Sequence, residues 1–207
     1  MTKKHIIFDL DGTLSNTAIA TLAAFEAAEK IHPIPSLTIH DIHNAMGLGG
    51  LEFFECLLPT VPSDVLLKVE KDVDNWEQEN IIRIGKHLLF HGVPDMLDTL
   101  YSRGYTLHIA STGSQIHVRT IMDATGIEKF FASISCGKPA KIDMVAQIIA
   151  GLDKDDCAMV GDMFKDSEAA KNNGILAIGA GYGYLSKADF GLFDVVLDRP
   201  NDIFMHV

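Results

Sequence analysis

Short apolar runs alternating with stretches of helical periodicity organise most of this chain. The first run, Ile6-Ile7-Phe8, leads directly into Asp9-Leu10-Asp11-Gly12-Thr13. Successive strand side chains point to opposite faces, so Asp9 and Asp11 project to one side and Leu10 to the other. Gly12 lets the backbone leave the strand sharply. From about residue 90 helix and strand alternate. A helix over 94–102, ended by Gly104, precedes a strand at 105–110, and a helix over 114–125 ends near Gly126 before a short strand at 130–134. A helix at 142–150, ended by Gly151, precedes a strand at 157–160. A helix at 164–173, stopped by Gly174, precedes a strand at 175–178. A last strand at 193–197 comes before a short C-terminal helix. This alternation predicts an α/β fold, a Rossmann-like parallel sheet with helices on both faces. Ligands of such sheets gather at the carboxyl ends of the strands, where Asp9, Ser111 and Asp162 fall.

Residues 15 to about 85 read differently. A helix over 18–30, capped by Ser15, Asn16 or Thr17, carries Ile19, Leu22, Ala23 and Phe25 on one face. His32-Pro33-Ile34-Pro35-Ser36 breaks it, and helices at 38–46, 51–58 and 63–80 follow. Gly47, Gly49 and Gly50 form a flexible joint between the first two of these. No buried strand is expected here.

The chain has 207 residues, 47% of them hydrophobic, enough for one compact domain with a modest appendage and a core that needs no disulfides. A formal net charge of −11 disfavours nucleic acid or an anionic membrane as the main partner. A phosphorylated substrate then requires a local positive site, which points to a metal ion and a well-placed lysine. Cys56, Cys136 and Cys157 are widely spaced and odd in number, which favours buried free thiols over a metal site. With no signal peptide or membrane span in the pattern, a cytoplasmic, reducing compartment is expected.

Four segments carry candidate chemistry. The carboxylates of Asp9 and Asp11 repel unless a cation or a proton intervenes, and either arrangement lets one attack while the other handles a proton. Ser111, Thr112 and Gly113 open onto a helix N-terminus, where hydroxyls and free N–H groups suit phosphate oxygens, although Ser111 or Ser114 equally suits a helix cap. Lys138 and Lys141 lie in Cys136-Gly137-Lys138-Pro139-Ala140-Lys141-Ile142-Asp143, ahead of the strand that delivers Asp162. Asp162 and Asp166, four residues apart past a strand end, suit a hard cation. His87, His91 and His117 show no metal spacing, and Trp76, Tyr182 and Tyr184 suit packing. Arg83 and Lys86 near 84–90 could meet a substrate carboxylate or phosphate, and solvation suits them better.

These four segments, in this order, resemble the motifs of the haloacid dehalogenase superfamily over essentially the whole chain. Asp9-Leu10-Asp11-Gly12-Thr13 matches the first motif, Ser111 the second, Lys138 or Lys141 the third, and Gly161-Asp162 with Asp166 the fourth. Residues 15–85 are similar to the helical cap of phosphoglycolate-phosphatase-like members, leaving 1–14 and 86–207 as the HAD-like core. The stretch from Gly161 to Gly183 is also similar to that subfamily. The resemblance implies a Mg²⁺-dependent phosphatase acting on a small phosphorylated metabolite (phosphoglycolate, a sugar phosphate or a nucleotide) through an aspartyl-phosphate. Asp9 would be nucleophile and Asp11 general acid, then base. Asp9, the Asp11 carbonyl and Asp162 would hold the metal, with Asp166 in support. Gly12, Ser111, Thr112 and Gly113 would meet the phosphate. Gly47, in Gly47-Leu48-Gly49-Gly50, resembles a cap loop that meets substrate, and an interhelical turn fits it as well. Alternatives are a phosphomutase of the β-phosphoglucomutase type and a non-catalytic phosphate-binding or regulatory module. Asn16 stands where many relatives carry an acidic residue, and Thr112 where an asparagine is common. Between the lysines, spacing to Asp162 favours Lys141, and Gly-Lys-Pro-Ala favours Lys138. A monomer or homodimer is expected, with no nucleic acid and no membrane partner.

Overall fold

The computed structural model describes residues 4–138 and 140–207. Among these, six strands form one parallel sheet: β1 (His5–Phe8), β2 (Thr106–Ser111), β3 (Phe131–Cys136), β4 (Cys157–Gly161), β5 (Leu176–Ala180) and β6 (Val195–Leu197). Their order is β3-β2-β1-β4-β5-β6, so the chain runs outward from β1 in both directions. This is the Rossmann-like order, and its ligand crevice opens where the direction reverses, beside β1.

Strand alternation decides which side chain goes to which layer. Ile6, Phe8 and Leu10 pack with Met96, Leu97 and Leu100 of α5 (Val93–Ser102) and with Val118, Ile121 and Met122 of α6 (Gln115–Thr125). Ile7 instead packs with Met144 and Val145 of α7 (Lys141–Ile148) and with Ala169 and Ala170 of α8 (Phe164–Asn173). Asp9 shares the parity of Ile7, so the strand that buries the core also delivers its carboxylate to the α7–α8 side.

Helices α1 (Ala18–Ala28), α2 (Ile39–Ala45), α3 (Leu51–Leu57) and α4 (Ser63–Ile84) separate β1 from α5 and bury an apolar core of their own, including Phe25, Phe54, Leu66, Val69 and Val73. Among the described residues no helix is long and apolar enough to cross a membrane.

Several boundaries differ from the sequence reading. β3 continues to Cys136, two residues past the expected end, because ladder pairing with β2 carries it through Ser135↔Ala110 and Cys136↔Ser111 without an apolar signal. α4 runs on to Ile84 and stops at Gly85, whose φ of +58° ends the helix. Thr17 lies in the helical region and makes no side-chain cap. Cys56 is exposed, which corrects the expectation of three buried thiols. It lies on the solvent side of α3, while Cys157 is buried and Cys136 half-buried.

His108 on β2 is buried, its Nδ1 2.8 Å from Ser133 Oγ and its Nε2 3.4 Å from His5 Nδ1. Burial first, and His5 second, push its pKa down to about 4. The unfolded chain therefore takes up this proton first, and stability drains as pH falls from about 6.5 towards 4. Replacing His108 by Gln is expected to remove on the order of 2 kcal/mol of that pH-dependent loss. Urea unfolding at several pH values checks this, and identical pH slopes for both proteins would contradict it.

Candidate active site

Three chain segments meet at the carboxyl end of β1 and β4. Asp9 follows β1, and its N–H donates to Val160 O of β4 at 2.9 Å. Asp162 follows β4, and Asp166 sits in the first turn of α8. Lys141 is the first residue of α7 and is buried, a rare state for lysine unless it is paired. Its Nζ lies 2.8 Å from Asp9 Oδ2 and 2.6 Å from Asp166 Oδ1. Asp166 Oδ2 accepts from the N–H groups of Asp162 (3.1 Å) and Met163 (2.9 Å), which anchors that carboxylate to the start of α8.

Thr13 Oγ1 donates to Asp162 Oδ1 at 2.7 Å, whereas the buried Asp162 Oδ2 has no hydrogen-bond partner. One oxygen each of Asp9, Asp162 and Asp166 lie within 4.8 Å of one another. Two glycines permit the approach. A Cβ on Gly12, already at φ +78°, would stand 2.2 Å from Asp162 Oδ2, and one on Gly161 would stand 2.1 Å from Asp166 Cγ.

Charge is unbalanced here, with three carboxylates around one ammonium. Burial pushes the Asp9 carboxyl up to about 7, with Asp166 adding to the rise and Lys141 opposing it. Burial also raises Asp162 well above the usual carboxylate range, and the charges of Asp9 and Asp166 raise it further. Burial works against the Lys141 charge, but Asp166 and Asp9 outweigh it and hold the ammonium above its ordinary pKa. Hard oxygen donors, excess negative charge and an orphaned carboxylate oxygen together fit a divalent cation such as Mg²⁺.

The other expected residues fall around this centre. Ser111, at the end of β2, is buried, and its Oγ accepts from the Gly113 N–H at 3.1 Å. Ser114, not Ser111, caps α6 by accepting from the His117 N–H. Ser111, Thr112 and Gly113 thus line the turn into the helix N-terminus. Gly47 is drawn to the start of α8, where its carbonyl accepts from Lys165 Nζ at 2.7 Å. Lys138 is exposed, and its Nζ donates to Gln147 Oε1 at 2.6 Å, so the geometry brings Lys141 and not Lys138 to the carboxylates. Asn16 Oδ1 accepts from Tyr184 Oη, whose ring stacks on His43.

Asp11 stands apart from the three-carboxylate cluster. His117 Nε2 donates to it, 3.0 Å from Oδ1 and 3.1 Å from Oδ2. Burial alone would raise the Asp11 carboxyl, but the charge and hydrogen bond of His117 outweigh it and lower the pKa. Burial would likewise strip the imidazole of its proton, yet Asp11 and Glu77 hold it well above its usual range. His117 has no metal-ligand spacing in the sequence, so its role here is not marked by a motif. The available signal was its place one turn into the helix that opens at Ser114.

A family model described as haloacid dehalogenase-like hydrolase matches residues 6–180. The chain belongs to that family. It is 28% identical to a phosphoglycolate phosphatase of Agrobacterium fabrum, over 93% of this chain and 87% of that one. It is 26% identical to a 5'-nucleotidase of Pseudomonas aeruginosa, over 88% and 85% of the two chains. Among solved structures, a predicted phosphoglycolate phosphatase from Haemophilus somnus superposes with a TM-score of 0.87 at 24% identity, covering 99% of this chain and 98% of the other.

Removing the buried ammonium leaves three carboxylates facing one another, so Lys141→Ala is expected to cost about 3 kcal/mol of stability. Lys138→Ala, at an exposed position, should stay within about 0.5 kcal/mol of the parent. Urea unfolding of both variants in chelator checks this, and equal losses would contradict the geometry.

Proposed function

We propose that the protein is a Mg²⁺-dependent phosphatase that hydrolyses a small phosphomonoester through an aspartyl-phosphate on Asp9. One observation carries this reading. Asp9, Asp162 and Asp166 are buried together around Lys141 at the crevice of the sheet, with a carboxylate oxygen left unpaired. Such an arrangement is costly to fold and serves phosphoryl transfer, which relies mainly on positioning and electrostatics.

Asp9, Asp162 and the main-chain carbonyl of Asp11 would hold the cation, with Asp166 supporting Asp162. When bound, the ion supplies positive charge against the phosphoryl oxygens and against the crowded carboxylates. Asp9 Oδ attacks phosphorus in line, forming the acyl-phosphate bond as the ester P–O bond breaks. In the free protein Asp11 is ionised beside His117; the negative charge of a bound phosphate ester raises its carboxyl, so that Asp11 takes up a proton, gives it to the departing alkoxide and then takes one from the water that attacks the acyl-phosphate, releasing inorganic phosphate. Lys141 holds the Asp9 carboxylate in place. Ser111 Oγ, held by the Gly113 N–H, and the Thr112–Gly113 turn meet phosphoryl oxygens at the N-terminus of α6. Residues 15–85 act as a cap hinged near 14–17 and 84–90, with the Gly47 loop on its substrate side, and closure excludes bulk water. Phosphoglycolate, sugar phosphates and nucleotides are the candidate substrates, since relatives of similar identity carry different substrate names.

Hydrolysis of p-nitrophenyl phosphate is expected to require Mg²⁺, to stop in EDTA and to fall at least about 10³-fold in Asp9→Asn. Lys141→Ala should lose roughly 10²-fold. Turnover that survives both EDTA and Asp9→Asn would reject the mechanism.

A further inference from the structure

Asp11 lies on a turn beyond β1 and pairs with His117, where Asp9 pairs with Lys141, yet general-acid transfer requires its carboxyl within hydrogen-bond reach of the leaving oxygen. Three side chains from three helices meet there. His117 of α6 spans both Asp11 oxygens with one N–H, at 3.0 and 3.1 Å, which pins the rotation of that carboxylate. The other ring nitrogen, Nδ1, lies 3.6 Å from Glu77 Oε2 of α4. Thr21 Oγ1 of α1 donates to the second Glu77 oxygen, Oε1. All three ionisable side chains are largely buried, at 16% (His117), 16% (Glu77) and 19% (Asp11) of side-chain exposure.

We propose that His117 is a positioning residue for the acid Asp11, and that Glu77 of the helical insertion sets His117. This rests on the role of Asp11 given above and adds two residues to it. The imidazole is a rigid ring held at both ends. Its tilt therefore follows the packing of α4 against α6, and the setting of Asp11 follows the ring. The chain Thr21–Glu77–His117–Asp11 couples α1 and α4 to proton delivery.

Two substrates separate positioning from packing. p-Nitrophenolate leaves without a proton, whereas the alkoxide of β-glycerophosphate needs one, so damage confined to the acid step falls on the second ester. In Mg²⁺, His117→Ala is expected to lower kcat/KM for β-glycerophosphate at least tenfold more than for p-nitrophenyl phosphate. The ratio of the two values is unaffected by any unfolded fraction. His117→Gln, which keeps a donor and serves if the alanine variant does not fold, should move the ratio the same way by less. Glu77→Gln should shift it in the same direction and add nothing in the His117→Ala background. Equal losses on both esters, or a relative gain on β-glycerophosphate, would overturn the assignment of His117. A further shift from Glu77→Gln without His117 would overturn that of Glu77. Wild-type protein inactive on both esters would overturn the underlying reading of Asp9 and Asp11, and this proposal with it.

Discussion

Three carboxylates and one ammonium buried at the end of a single sheet set the terms for the rest of the molecule. Two like unit charges about 5 Å apart repel by roughly 3 kcal/mol at an effective dielectric of 20, and each buried carboxylate also loses its hydration. Lys141 bridges Asp9 and Asp166 and leaves Asp162 with an unpartnered oxygen. A chain retains such an arrangement when a cation completes it. The raised carboxyls of Asp9 and Asp162 express the same deficit in protonation.

The fold meets this demand with ordinary means. β1 buries Ile6 and Phe8 on one side and Ile7 on the other, so the core fixes the direction of Asp9 before any site chemistry is considered. The start of α8 supplies two N–H donors to Asp166, and the glycines at 12 and 161 leave the space that the carboxylates occupy. The opposite rim of the crevice is built from the Ser111–Gly113 turn and the N-terminus of α6. Helices α1–α4 fold around their own apolar core and reach the site through Glu77, through the contact of Gly47 with Lys165 and through the stack of His43 on Tyr184.

Much of this was legible in residue order because strands, helices and glycine stops announce themselves locally. The alternation after residue 90, and its absence from 15 to 85, were enough to place β1, β2 and β4 and hence Asp9, Ser111 and Asp162 at one edge. Where the local signal was weak, tertiary contact decided. Ladder pairing extended β3 through Ser135 and Cys136, and packing against α1 and α6 accompanies an α4 longer than the 63–80 pattern. The choice between Lys138 and Lys141 depended on which ammonium turns inward, and three residues of spacing do not encode that. The pairing of His117 with Asp11 and Glu77 lies further out of reach, since it joins positions 40 and 106 residues apart that share no motif.

The central claim is that the buried acidic cluster is a divalent-cation site. Electron paramagnetic resonance of Mn²⁺ titrated into the protein tests it most directly, because bound ion loses the sharp signal of the free aqueous ion. The account predicts a single tight Mn²⁺ per chain, displaced by Mg²⁺ and lost in Asp162→Asn. An undiminished free-ion signal in the wild-type protein, or the same binding in Asp162→Asn, would contradict it.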